Sequence, residues 1–293
     1  MKRIIFLISL LLCLFFGTKT FAHPGSGIVV DKFGNVYFTD TGKGVWKIDT
    51  KGNITYMTAS KFHWMTIDPM GYFANSPKKF GAYFERVTDQ NSNPALVMCS
   101  DFPLVVNKDG NIYYADTRHN AAKIIRRTPA GRESTLVSDK IFEFVNGIAI
   151  GKDSCLYITE SSNANANTIR KITMDGEVST IATFVGKSGN DWPLETVPSY
   201  CRGLAVDADG TIYVAASGNR GVLKISPKGE VNTIWQEPSP WTPTGVAVFN
   251  NEVYILEWHD VAAADLEIRT AYIPRVRKIG SDGKIITLAT VSR

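Results

Sequence analysis

The chain alternates between short, nearly continuous apolar runs and tight clusters of Gly, Asp, Asn and Lys. Gly27-Ile28-Val29-Val30-Asp31 is followed by Phe33-Gly34-Asn35 and then by Val36-Tyr37-Phe38-Thr39-Asp40. Brief β-branched and aromatic runs bounded by turn residues predict strand, tight turn, strand. The phrase returns at 104–116, 147–160, 203–214 and 245–257, and in a degenerate copy at 65–75, where Phe73-Ala74-Asn75 would close the second strand. Each unit has a second half. Val45-Trp46-Lys47-Ile48, Thr168-Ile169-Arg170-Lys171-Ile172, Gly221-Val222-Leu223-Lys224-Ile225 and Arg275-Val276-Arg277-Lys278-Ile279 mix apolar with basic positions, as strands nearer solvent do. Gly52, Gly176, Gly229 and Gly283 follow at the places where a hairpin needs positive φ. Final strands are expected at 54–58, 134–138, 178–183, 231–235 and 285–290.

The units begin at residues 27, 64, 103, 147, 203 and 245. A period of about 40 to 50 residues with several short strands each is the signature of a β-propeller. The expected fold is therefore all-β: six blades of four antiparallel strands, one domain over residues 23–293. No strand is left over to latch the first blade to the last, so closure is expected to rest on side-chain packing between them.

The N-terminus reads differently. Lys2-Arg3 precede an apolar stretch at 4–16, broken only by Ser9, and Thr20-Phe21-Ala22 supplies small residues at a cleavage site. This is the pattern of a signal peptide over residues 1–22, and it implies a secreted or periplasmic protein. The stretch is shorter than the ~20 apolar residues that span a bilayer. Setting aside Lys2, Arg3 and Lys19 takes the 32 basic residues to 29 against 28 acidic. A nearly neutral body has no general pull toward nucleic acid or anionic membrane. Cys99, Cys155 and Cys201 are too few for a disulfide framework and read as free thiols, with one bridge as the alternative.

The phrases GIVVDKFGNVYFTDTGKGVWKIDTKGNI and GLAVDADGTIYVAASGNRGVLKISPKGEV resemble the NHL-repeat propellers. They are similar as well to the related gluconolactonase and senescence-marker six-bladed propellers. The resemblance covers essentially residues 25–290. It implies a divalent metal, usually calcium, at the tunnel mouth, held by a Glu of the first repeat and by Asn or Asp before the Gly of later ones. Asn146-Gly147 keeps the Asn, the weak metal candidate. Ser26 stands in place of the Glu, and Arg202 stands where a ligating Asp is expected. A cation and a lost carboxylate disfavour an ion held by hard negative oxygen. The similar peptidyl-hydroxyglycine lyases hold zinc with three His. Here His63, His119 and His259 are the corresponding candidates, without diagnostic spacing.

In antiparallel blades the start of the first strand and the end of the second lie at one edge. That rim collects Ser26, His63, Phe102, Asn146, Arg202 and Thr244 with Asp40, Asn75, Asp116, Glu160, Ala216 and Glu257. Trp258 and His259 follow directly, and long insertions at 186–200 and 258–274 open on the same edge. The ligand-binding candidates are His63, Asn146, Arg202, Asp40, Asp116, Glu160, Glu257, Trp258 and His259. Asp and Asn at strand ends also cap turns through their own backbone, a competing structural role for each. The leading expectation is an exported, soluble, monomeric module that binds a small ligand or an extracytoplasmic protein through this rim. The alternative is a hydrolase or lyase with Ca2+ or Zn2+ at the tunnel mouth, and no residue is assigned as catalytic.

Overall fold

The computed structural model describes residues 24–89, 92–118, 122–138, 142–161, 166–185, 201–238, 240–259 and 273–291. Six four-stranded antiparallel sheets follow one another along the chain. Blade 1 is built from Ile28–Val30, Val36–Asp40, Gly44–Ile48 and Ile54–Thr58. Blade 3 runs Leu104–Val106, Ile112–Asp116, Lys123–Arg127, Glu133–Val137, and blade 4 runs Phe144–Ile150, Leu156–Ser161, Ala166–Ile172, Val178–Val185. Blade 5 takes Leu204–Val206, Ile212–Ala216, Gly221–Ile225, Val231–Gln236, and blade 6 takes Trp241–Phe249, Glu252–His259, Ile273–Ile279, Ile285–Thr290. The expected six-bladed propeller is the fold. The only helical element among the described residues is the single 3-10 turn Ser217–Asn219.

Blade 2 departs from the expected register. Its inner strand Trp64–Asp68 pairs with Ser92–Cys99, which pairs with Phe84–Asp89, which pairs with Lys79–Phe80. The chain goes from the inner strand to the outer edge and returns inward. Asn75 therefore does not end a second strand, because 71–75 is a series of turns. Phe73 has the apolar character of a strand position without belonging to a strand: it is buried and stacked on Phe80 at 4.9 Å, filling the seam between blades 2 and 3. The position expected for Asn75 at the rim falls instead to Cys99 and Ser100.

A propeller has no single core. Each of the six seams between neighbouring blades carries its own cluster of buried apolar side chains. The second strands are apolar on both faces because each side meets a different seam: Tyr37 packs between blades 1 and 2, whereas Phe38 packs between blades 6 and 1.

Ring closure uses two devices. Ile28, Val36, Phe38 and Ile48 of blade 1 pack on Leu256, Trp258, Val276 and Val291 of blade 6 and its tail, as expected. The second device is a buried strap, residues 24–27, ahead of the first strand. The Gly25 carbonyl accepts from Thr244 Oγ1 at 2.7 Å and from Trp258 Nε1 at 3.2 Å. The amides of Ser26 and Gly27 donate to the His63 carbonyl at 2.7 and 2.9 Å. Four residues thus tie blade 6 to blade 2.

Candidate functional site

The starts of the inner strands face the tunnel mouth. His63 is half-buried, and its Nδ1 lies 2.7 Å from the Ser100 carbonyl. A carbonyl only accepts, so Nδ1 carries the proton and Nε2 is the basic nitrogen. Burial holds the imidazole below its ordinary pKa, and the nearby Arg202 charge adds to that, against the Ser100 bond and Asp101. Trp64 lies edge-on to His63 at 5.4 Å and donates through Nε1 to the Asn146 carbonyl at 3.4 Å, passing over blade 3 to blade 4. Arg202 donates to the Pro24 carbonyl at 2.9 Å. Its own carbonyl accepts from Thr159 Oγ1 at 2.8 Å.

Asn146 heads a polar relay. Its amide donates to Ser161 Oγ at 3.1 Å, and Ser161 donates to Asn167 Oδ1 at 3.0 Å. At and beside the rim, the buried polar atoms with no hydrogen-bond partner include the Ser26 hydroxyl, the Asn167 amide nitrogen, Glu257 Oε1 and His259 Nδ1. Such groups cost about 1–3 kcal/mol each when left unmade, so their presence at a site marks room for a ligand or water. Phe102 is core, sealed between blades 2 and 3.

The rim carboxylates are spent within their own blades. Asp40 is buried and caps its turn, accepting from the amides of Gly42 at 2.9 Å and Lys43 at 3.2 Å. Asp116 pairs with Arg118 at 2.6 Å, and that guanidinium lies over Tyr83. Glu160 pairs with Arg170 at 2.5 Å and caps the Glu143 amide. Glu257 is fully buried and pairs with Arg275 at 2.6 Å; Arg275 and Arg277 also meet Glu237 at 2.8 and 2.7 Å. Burial pushes Glu257 up to about 8. Glu237, beside both guanidiniums and Trp235, is held below its ordinary value in spite of burial.

Trp258 belongs to the seam between blades 6 and 1 and presents its indole N–H to the strap. His259 lies edge-on to Trp241 at 5.0 Å, on the blade 6 face that carries Arg275 over the same indole. His63 and His259 thus sit in blades 2 and 6, in separate settings, and His119 lies outside the described residues. The insertions around Trp192, Tyr200 and Tyr272 lie outside them as well. Among the described residues no three His, Cys, Asp or Glu side chains converge on a metal-sized point. The mouth does not fit calcium: the seat that needs anionic oxygen is furnished by a hydroxyl, an amide and a guanidinium.

Sequence reading missed the partners of the rim acids. Arg118, Arg170, Arg275, Arg277 and Glu237 were each visible as residues, and the alternation in the third strands was the available signal. In antiparallel register Glu257 lies opposite Arg275, so the basic positions neutralise the rim.

Two grooves, of about 380 and 290 Å3, lie at the opposite edge between blades 3 and 4 and between blades 4 and 5. Their chemistry is a repeat of the scaffold. Asp153 pairs with Lys171 at 2.8 Å and accepts from the Tyr157 hydroxyl at 2.9 Å. The same Lys-over-Tyr arrangement recurs as Lys47–Tyr37, Lys224–Tyr213 and Lys278–Tyr254. An arrangement repeated around the ring is a fold device, so the mouth is the better candidate.

Fold and rim define a six-bladed propeller with a polar tunnel mouth and a neutralised ring of acids. The chain belongs to the SMP-30/gluconolactonase/LRE-like family, whose profile matches residues 84–256. Human teneurin-4 is 29% identical over 251 residues, 75% of this chain, and mouse teneurin-3 is 25% identical over 239 residues, 73% of it. The chain spans about 8% of the length of either teneurin. Among solved structures, a luciferin-regenerating enzyme superposes with a TM-score of 0.56 at 18% identity, covering 87% of this chain and 92% of that one. A gluconolactonase from Xanthomonas campestris gives 0.54 at 14%, covering 80% and 84%. A streptogramin B lyase gives 0.53 at 18%, covering 94% and 86%. At these identities the likeness concerns the fold.

Proposed function

We propose that the protein is an exported binding module that takes its ligand at the tunnel mouth and performs no calcium-dependent turnover. The observation behind this reading is Arg202, a cation at the seat where the resemblance calls for a ligating Asp. The four rim acids nearest the lost ligands are engaged in a turn cap or in Arg pairs inside their own blades. What remains at the mouth is a recognition surface: the basic nitrogen of His63, the indole of Trp64, the guanidinium of Arg202, and the Asn146–Ser161–Asn167 relay.

The test is a saturation-transfer NMR screen of sugars, sugar acids and short peptides against the propeller. Under this reading a hit is weakened by Trp64→Ala and by Asn146→Ala and is indifferent to chelator. Lactone or ester turnover that is lost on chelation and restored by Ca2+ or Zn2+ would sink it.

A second reading draws on family membership. An enzyme would use His63 as general base through Nε2, a role its fixed tautomer and neutral state suit. It requires turnover that fails in His63→Gln while the melt is held.

A further inference from the structure

We propose that the groove between blades 3 and 4, at the edge opposite the tunnel mouth, is a second binding site, and that it takes an anionic monosaccharide. The inference is independent of what the mouth binds.

The arrangement that repeats along this edge is closed on itself. An acid meets a tyrosine hydroxyl, and a lysine of the third strand lies over the same ring. The sets are Asp31, Tyr37 and Lys47 in blade 1, Asp153, Tyr157 and Lys171 in blade 4, and Glu252, Tyr254 and Lys278 in blade 6. Blade 3 interrupts the repeat. Its first hairpin makes the same two main-chain bonds as that of blade 1, and they put Asn107 where blades 1 and 5 carry Asp31 and Asp207. The Tyr113 hydroxyl has no hydrogen-bond partner among the described residues. Opposite Tyr113 stands Arg126, where blades 1, 4, 5 and 6 place a lysine. Arg126 is held to its own blade by one bond, from Nε to Asn111 Oδ1 at 3.3 Å, so its two terminal nitrogens have no partner among the described residues.

The facing wall interrupts the repeat as well. Equivalent main-chain bonds put Gly151 of blade 4 at the Asp31 position and Ser154 at the position of Gly34, Gly110 and Gly210. Ser154 keeps the positive φ of those glycines, at 63°, a conformation that a β-carbon disfavours. Strain of this kind is grounds for seeking a use for the side chain, and Ser154 lines the groove.

Loss of the acid from both walls leaves the groove cationic. Its charged lining is Lys108, Arg126 and Lys152 against Asp109. Asp109 pairs with Lys108 at 3.2 Å, and Asp153 pairs with Lys171 in the neighbouring groove. Arg126 and Lys152, one from each blade, have no counter-charge among the described residues. A guanidinium with both terminal nitrogens open takes an oxyanion through two parallel bonds. Burial holds the Tyr113 phenol above its ordinary pKa, against the pull of Arg126, so it remains a donor. Ser154 adds a second hydroxyl, and Met174 and Ile150 add an apolar wall. One fixed anion seat, hydroxyl partners and a small apolar wall suit a sugar ring bearing a carboxylate or a phosphate. The volume of about 380 Å3 lies within the range of small-molecule sites.

Calorimetry of the protein at low ionic strength, with glucuronate, glucose 6-phosphate and neutral glucose, tests this. At least one anion is expected to bind and glucose to stay silent, and the two anions distinguish a carboxylate from a phosphate. Arg126→Gln is expected to weaken the anion about tenfold or more. Asn107→Asp restores the acid that blades 1 and 5 carry in the same hairpin, so the fold is kept, and it is expected to weaken the anion as well. Added salt is expected to do the same. Ser154→Gly is expected to raise the melting midpoint and loosen binding. Glucose binding as tightly as the anions, affinity unmoved by both Arg126→Gln and Asn107→Asp, or no binding of either anion overturns the proposal. Binding lost in Trp64→Ala and kept in Arg126→Gln assigns the anion to the mouth and overturns it too.

Discussion

A β-carbon on Gly245 would lie 2.4 Å from the carbonyl oxygen of Ser26, the closest such approach between blades 6 and 1. The repeated Gly at this position is a spacing device: Gly147 stands equally close to the Arg202 carbonyl, at 2.5 Å, and Gly203 to the Cα of Gly245, at 2.9 Å. Inner strands approach so tightly around the tunnel that a methyl group forces backbone apart. Gly245→Ala is expected to destabilise the fold by roughly 1–3 kcal/mol, as overpacking does, and to lower the melting midpoint by several degrees. Gly52→Asn is the control. Gly52 has positive φ with open space around it, and Asn tolerates that conformation, so its melt should hold.

Trp258 separates a packing role from a binding one. Its side chain is fully buried in the seam that closes the ring, and its N–H holds the strap. Trp258→Phe keeps most of the ring's volume and loses one hydrogen bond, for an expected cost of about 1 kcal/mol. Trp258→Ala empties the seam and is expected to cost roughly 3–5 kcal/mol. Urea unfolding of the two variants checks this. Equal stability of both would mean the seam does not depend on this side chain.

Much of this architecture was legible because the repeat carries its own physics. Glycines at fixed offsets, apolar second strands and basic third strands each follow from one blade packing on the next, and they recur. Blade 2 was not legible, since its pairing partner 92–99 lies beyond a detour and Phe73 supplied apolar character in the place where a strand was expected. Burial of a side chain and membership of a strand are different properties, and periodicity over five residues does not separate them. For the rim acids, the engagement of each side chain was hidden. Whether Glu160 faces a ligand or Arg170 depends on cross-strand register, which the spacing of the repeat leaves open by a residue.

The cysteines differ in access. Cys201 is fully buried, and burial drives its thiol well above the ordinary range; Cys99 is buried and pushed up to about 11. Cys155 is only half-buried, and its pKa is raised by burial and by Asp153. In the chain without residues 1–22, a thiol reagent at pH 8 is expected to modify Cys155 slowly in the native state and the other two only in denaturant. Two fast-reacting thiols in the folded protein would contradict this burial.

Glu257 makes the stability of blade 6 depend on pH. Its carboxyl is fully buried between blades 5 and 6, facing Arg275 and Glu237, with one oxygen lacking a partner. Burial raises it from 4.5 to about 8, and the neighbouring Glu237 charge adds to this against the pull of Arg275. An acid with a raised folded-state pKa binds its proton more tightly in the native chain than in the unfolded one. The native state therefore holds more protons between these two values, and stability falls as pH rises from about 4.5 to about 8. Glu257→Gln preserves the shape of the protonated acid and cannot ionise. Its stability relative to the natural chain should rise across that window and level off above it. Guanidinium unfolding of both proteins at pH 5, 6.5, 8 and 9 measures the difference directly, and the slopes of all other titrating groups cancel in it. A difference that stays flat across the series would mean that Arg275 and Arg277 keep Glu257 ionised throughout, and that the buried quartet is two ordinary ion pairs.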